Sequence, residues 1–245
     1  MRRREEARQR PLAANPPLIA FHWPALSRRL LVTASVFLGA GLLVSFAVQM
    51  GLLHALDLRL LRSAQARSSP LLDDAMTVVT SLGGAPVTLL LAAALTWPIF
   101  KGLRLLAVLP VVTVAFGILV EWIGKNTIYQ PDPPHAYLRL AQWASSPIQQ
   151  AAPYAFPSGH VLRSTILYGL VFYLARRWEL FGRESSRLSP ILIGLIGLMA
   201  IAVVYLGWHW PSDALGGLLL GLAVLFGLIA YLERKRLSNP GHVPD

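Results

Sequence analysis

The stretch "YAFPSGHVLRS", Tyr154 to Ser164, joins a polar loop to a long apolar run. Its Pro-Ser-Gly-His core stands where that apolar segment begins, and Arg163 follows about one helical turn further in. Whether the run is a soluble core helix or a membrane span depends on its surroundings. The 245-residue chain is 55% hydrophobic and only 14% charged, with mean hydropathy +0.54. That balance is too apolar for an ordinary soluble domain and fits a multi-span membrane protein. The net charge of +10 does not signal nucleic acid, because the apolar bulk argues against it and the basic residues cluster at span ends. The absence of cysteine excludes disulfides and thiolate metal sites.

A span needs about 20 mostly apolar residues. Six such segments are read, at 30–53, 82–99, 104–124, 160–177, 189–207 and 213–233, so the expected fold is an all-α six-span bundle. The shorter "DLRLLRSAQAR", residues 57–67, carries three arginines and reads as an amphipathic loop helix lying on the surface. Residues 1–29 are expected to be a basic, disordered cytoplasmic segment, 30–234 the membrane domain and 235–245 a cytoplasmic tail. The long basic start and span-length first apolar run argue against a cleavable signal peptide. With the N-terminus inside, 16 of the 22 lysines and arginines fall on the cytoplasmic side. Both termini are then cytoplasmic in a multi-pass cell-membrane protein. Trp97, Trp122, Trp178, Trp208 and Trp210 read as interfacial anchors.

This topology gathers Lys125, Ser158, His160, His209 and Asp213 at the extracytoplasmic face. Ser158 suits an N-cap, and Gly159 lets a ligand approach the backbone. The helix start behind them favours an anion. In "HWPSD", Pro211 suits the first position of a helix, and Asp213 can turn back onto His209. A histidine nucleophile oriented by a carboxylate, with His160 to protonate a leaving oxygen, suffices for metal-free phosphoryl transfer. Zinc held by His160, His209 and Asp213 is the weaker alternative, since Lys125 suits an anion. No metal or cofactor is expected.

The ordered set "KNTIYQPDP", "PSGH" and "YLGWHWPSD" resembles the type 2 phosphatidic acid phosphatase (PAP2) family, which shares its core with vanadium haloperoxidases. The resemblance spans roughly residues 54–225, including "SLGGAPV". It implies His209 as the nucleophile that becomes phosphohistidine, Asp213 as its orienter and His160 as general acid. Lys125, Ser158 and the Gly159 amide would hold phosphate oxygens. The family pattern places arginine where this chain has Asp132 and Val203. The first exchange reverses a charge beside the expected phosphate, an interaction of about 3 kcal/mol at ~5 Å and an effective dielectric near 20. Arg163 is the candidate replacement, and Arg139 in the outer loop a second. The alternative, which the sequence favours, is that Arg163 snorkels outward or pairs with Asp132 or Glu121 and only holds helices together.

Three functions are compatible with this pattern. The first is a prokaryotic membrane phosphatase acting on lipid phosphate monoesters or diphosphates in the outer leaflet. The second is a catalytically weakened relative that binds lipid headgroups or serves as a membrane scaffold. The third is a lipid phosphotransferase. A haloperoxidase is disfavoured, because vanadate would need the same arginines. Oligomeric state leaves no trace in the sequence.

Overall fold

The computed structural model describes residues 23–102, 108–141, 153–177 and 185–238. Among the described residues the chain is all helical. The helices are α1 (Trp23–Gln49), α2 (His54–Gln65), α3 (Pro70–Ser81), α4 (Ala85–Gly102), α5 (Leu109–Thr127), α6 (Gly159–Arg177), α7 (Ser185–Tyr205) and α8 (Pro211–Ser238). A single 3-10 turn, His135–Tyr137, interrupts the loop after α5. Helix α1 begins before the expected start at Leu30, and α8 runs past the expected end at 234. Most of the basic N-terminal segment and the last seven residues lie outside the described residues.

Helix α6 is the axis of the bundle, with α5, α7 and α8 packed around it and α1 laid along α8. Every residue from Val161 to Leu170 is buried. Gly217 and Gly221 of α8 lie against the α6 backbone at Ser158 and Leu162, so this small-residue pair serves helix packing. Gly194 and Gly197 of α7 face open space instead.

Four helical segments are long and apolar enough to cross a membrane: Ala25–Gln49, Leu109–Thr127, Arg187–Tyr205 and Pro211–Arg234. A fifth arises if α3 and α4, bent by 48° at their junction, count as one broken span. The expected span at 160–177 is not among them. Its helix carries Arg163, Ser164 and Thr165, all buried against protein rather than lipid. A helix enclosed by its neighbours does not need the apolar surface that lipid demands.

The α3–α4 break also departs from the expected span at 82–99. Breaking a helix frees backbone carbonyls, which are costly at membrane depth unless other groups satisfy them. Helix α6 supplies both partners: Tyr168 donates its hydroxyl to Leu82 O at 2.8 Å, and Arg163 Nε donates to Gly83 O at 3.2 Å. A side chain at Gly83 would collide with Met199 of α7 and Ser164 of α6.

Helix α2 is amphipathic, as its sequence suggests, but it is anchored rather than merely surface-lying. Leu61 is fully buried and Asp57 is 2% exposed. On the same side of the bundle, Arg139 grips Asp73 of α3 through two bonds, of 2.7 and 2.9 Å. Tyr205 donates to the same carboxylate at 2.6 Å.

Candidate active site

The C-terminal ends of α5 and α7 and the N-terminal ends of α6 and α8 meet at one end of the bundle. Helix α7 stops in a glycine-dependent turn. Gly207, at φ +67°, donates to Val204 O at 2.9 Å, and Trp208 N donates to Val203 O at 3.0 Å. Such paired bonds close a helix end when the residue past it is left-handed. His209 N donates to Val203 O as well, at 3.2 Å. The backbone at Val203 therefore carries the turn that presents His209.

Helix α8 then starts at Pro211, whose missing N–H costs nothing at that position. Asp213 folds back so that Oδ2 accepts from Trp210 N at 2.9 Å. The same oxygen lies 3.4 Å from His209 Nδ1. His209 is 7% exposed and Asp213 fully buried. Burial, reinforced by the positive charge of Lys125, pushes the His209 imidazole down to about 3. Arg163 acts in the same direction, against Asp132 and a backbone hydrogen bond at Ala155. The ring is thus neutral at physiological pH, as a nitrogen nucleophile must be.

The His160 ring lies across from it, with ring centroids 6.4 Å apart. Trp208 packs its edge on His160 at 5.7 Å. Trp210 is buried and donates Nε1 to Pro131 O at 2.7 Å. Trp208 thus walls the His160 side of the site, while Trp210 packs on His54 of α2. Trp97 and Trp122 remain exposed on the outer surface of the helices. Trp178 lies outside the described residues.

Ser158 precedes α6, and its carbonyl accepts the first helical bond, from Leu162 N at 3.0 Å. Its hydroxyl caps nothing: Ser158 Oγ is buried without a hydrogen-bond partner. Lys125 lies in the last turn of α5 and is 8% exposed. One turn earlier, Glu121 pairs with Arg163 Nη1 and lies 4.0 Å from Lys125 Nζ. Its carboxylate presses on Gly159, where any Cβ would overlap it. The close approach that glycine permits at the α6 N-terminus is therefore taken by the protein's own carboxylate, an anion at a helix start.

Arg163 is 1% exposed, and its Nη2 has no partner. Asp132 is exposed in the loop, while Val203 is fully buried in an apolar cluster with Val161 and Ala214. Arg139 is committed to Asp73 and is not a free cation over the site. Among the described residues, no three carboxylates or imidazoles converge as a metal-ion site. Glu121, which the sequence reading treats only as a packing partner of Arg163, belongs to the site. Its signal is its place four residues before Lys125, which puts both on one helix face.

The sequence model of the PAP2 superfamily matches residues 105–237. The chain belongs to the PAP2 superfamily. Among curated relatives, phosphatidylglycerophosphatase B of Bacillus subtilis strain 168 is 27% identical over 204 residues, covering 79% of this chain and 91% of the relative. Among solved structures, a transmembrane PAP2-type phosphatidylglycerolphosphate phosphatase from Bacillus subtilis superposes with a TM-score of 0.70. That match has 22% identity and covers 82% of this chain and 96% of the other. The PAP2 transmembrane fold follows from this kinship.

Proposed function

We propose that this PAP2 protein hydrolyses lipid phosphate monoesters or diphosphates through a phosphohistidine intermediate at the extracytoplasmic face of the membrane. The observation that carries the reading is the convergence of His209, backed by Asp213, with His160 and three buried phosphate-seeking groups: Lys125, Ser158 Oγ and Arg163 Nη2. Asp213 faces Nδ1 of His209, leaving Nε2 to attack phosphorus. The phosphorus–oxygen bond to the lipid breaks, and His160 delivers a proton to the leaving oxygen. Water then attacks the phosphohistidine with His160 as base, releasing inorganic phosphate and restoring His209.

Lys125, Ser158 and the Gly159 amide would hold the phosphate, with Arg163 supplying the guanidinium that Asp132 and Val203 do not. Support for Arg163 is its buried, unpartnered Nη2, since a buried donor without a partner is costly unless a ligand satisfies it. A six-span topology with both termini cytoplasmic is the arrangement that the distribution of basic residues favours. The kinship to a phosphatidylglycerophosphatase makes phosphatidylglycerophosphate the first substrate to try.

A second reading, a weakened relative that binds headgroups without turning them over, draws on Glu121. Its carboxylate already engages Arg163 and opposes a bound phosphate. Phosphate release from phosphatidylglycerophosphate, phosphatidic acid and undecaprenyl diphosphate by purified protein, with EDTA present, separates the two. Release that survives EDTA and is lost in His209→Ala is the expected result. Headgroup binding without release from any lipid would favour the second reading.

A further inference from the structure

We propose that Asp57, on α2, is a positioning residue for the His209–Asp213 pair. Its carboxylate takes both polar groups of Ser212: Oδ1 accepts from Ser212 N at 2.8 Å and Oδ2 from Ser212 Oγ at 2.7 Å. Ser212 lies between Pro211 and Asp213, in the first turn of α8. Pro211 has no N–H, so the N–H of Ser212 is the first that this helix start presents. In most helices the cap comes from the residue just before the helix. Here it comes from a carboxylate 155 residues away in sequence.

The placement is specific. Asp57 is 2% exposed, so its two bonds replace water that cannot reach it. One turn earlier on α2, His54 meets the Trp210 ring edge-on at 5.3 Å. Gln130 reaches Ser212 Oγ from the loop after α5, at 3.4 Å. Helix α2 therefore holds the residues on both sides of Pro211, and those residues set the direction of Asp213. Helix α2 lies outside the segment that the PAP2 model matches.

The inference rests on the proposed phosphohistidine chemistry, so its test carries a readout independent of turnover. Asp57→Ala, Asp57→Asn and Ser212→Ala would be compared with wild type for kcat, KM, thermal stability and the ¹⁵N signature of His209. Loss of the cap lets the His209–Asp213 pair drift, and a misplacement of about 1 Å can cost about 100-fold in rate. The expected result for Asp57→Ala is a fall in kcat of that order, a KM within about threefold of wild type, and a changed His209 ring-nitrogen signature. Ser212→Ala, which keeps the backbone bond, should do less. Asp57→Ala combined with Asp213→Asn should cost little more than Asp213→Asn alone. Loss of stability with an unchanged His209 signature and unchanged kcat would overturn the proposal and leave Asp57 a packing residue. If Asp57→Ala does not fold, Asp57→Asn, which keeps an acceptor for Ser212 N but loses the charge, should shift the His209 signature by less than full loss of the cap, and an unshifted signature in that variant would overturn the proposal. A wild type without turnover would defeat the phosphatase reading; the ¹⁵N comparison would still decide the role of Asp57.

Discussion

The backbone carbonyl of Asp213 accepts a hydrogen bond from Ser158 N at 3.0 Å. One residue thus serves both halves of the site: its carboxylate faces the histidine of "HWPSD", and its carbonyl holds the start of "PSGH". The N-termini of α6 and α8 are tied at this point, so a shift in one moves the other.

His209 should stay neutral through mildly acidic pH. Burial holds its folded-state value at about 3, below the unfolded value of about 6.5. The unfolded chain therefore binds the proton first, and this contribution to stability is present above about pH 6.5 and lost as pH falls from there toward 3. An ¹⁵N-histidine titration should show the His209 signal unprotonated at about pH 5, and His209→Gln should flatten the acid side of the stability curve. A ring that titrates near 6.5 would contradict the buried environment.

Arg163 and Glu121 should behave as a coupled pair. Arg163→Ala strands a buried carboxylate, which costs about 3–5 kcal/mol. Adding Glu121→Gln should recover much of that stability. It should not recover turnover if the guanidinium grips phosphate, where losing one charge-assisted donor costs about 100-fold or more. Recovery of both would reduce Arg163 to a packing role. Melting temperature and phosphate release on the two variants and the wild type settle the matter.

Gly159→Ala should fail for a steric reason, because the new methyl meets the Glu121 carboxylate. Overpacking of this kind costs about 1–3 kcal/mol. In a Glu121→Ala background, where Arg163 has already lost its partner, adding Gly159→Ala should cost little further stability, measured by thermal denaturation. A Gly159→Ala protein as stable as wild type would mean that Glu121 can move aside.

Arg139→Ala should weaken the fold and spare the chemistry. It removes two bonds to Asp73, worth about 2 kcal/mol where a charged group takes part. Turnover per folded molecule should stay within about twofold of wild type. A large drop in kcat at a temperature where the variant is folded would return Arg139 to the site.

The histidines, Asp213, Ser158 and Lys125 could be found in the sequence because their chemistry is local. His209 and Asp213 are separated by one turn, and Ser158 and His160 share one helix start. Glu121 reads only as a packing partner of Arg163, since a lone acid inside an apolar run gives no hint of which distant cation it meets. The Asp57 cap and the Asp73–Tyr205 bond join residues 155 and 132 positions apart, and no periodic pattern encodes them. For the tryptophans of "GWHW", a span end and a packed position beside the site call for the same amphipathic ring, so the sequence alone does not separate the two. The α3–α4 bend at "SLGG" is invisible to hydropathy, which averages across a break that frees only a few carbonyls.

The enclosed, arginine-bearing α6 bears on how the chain is made. A segment with so little apolar surface has a weak claim on lipid when it first leaves the ribosome. Its neighbours α7 and α8, which cover it, are synthesised later. Stable insertion of α6 should therefore wait for the C-terminal half. A chain truncated after α6 should leave that helix accessible to water-soluble labelling reagents, while the full-length protein protects it.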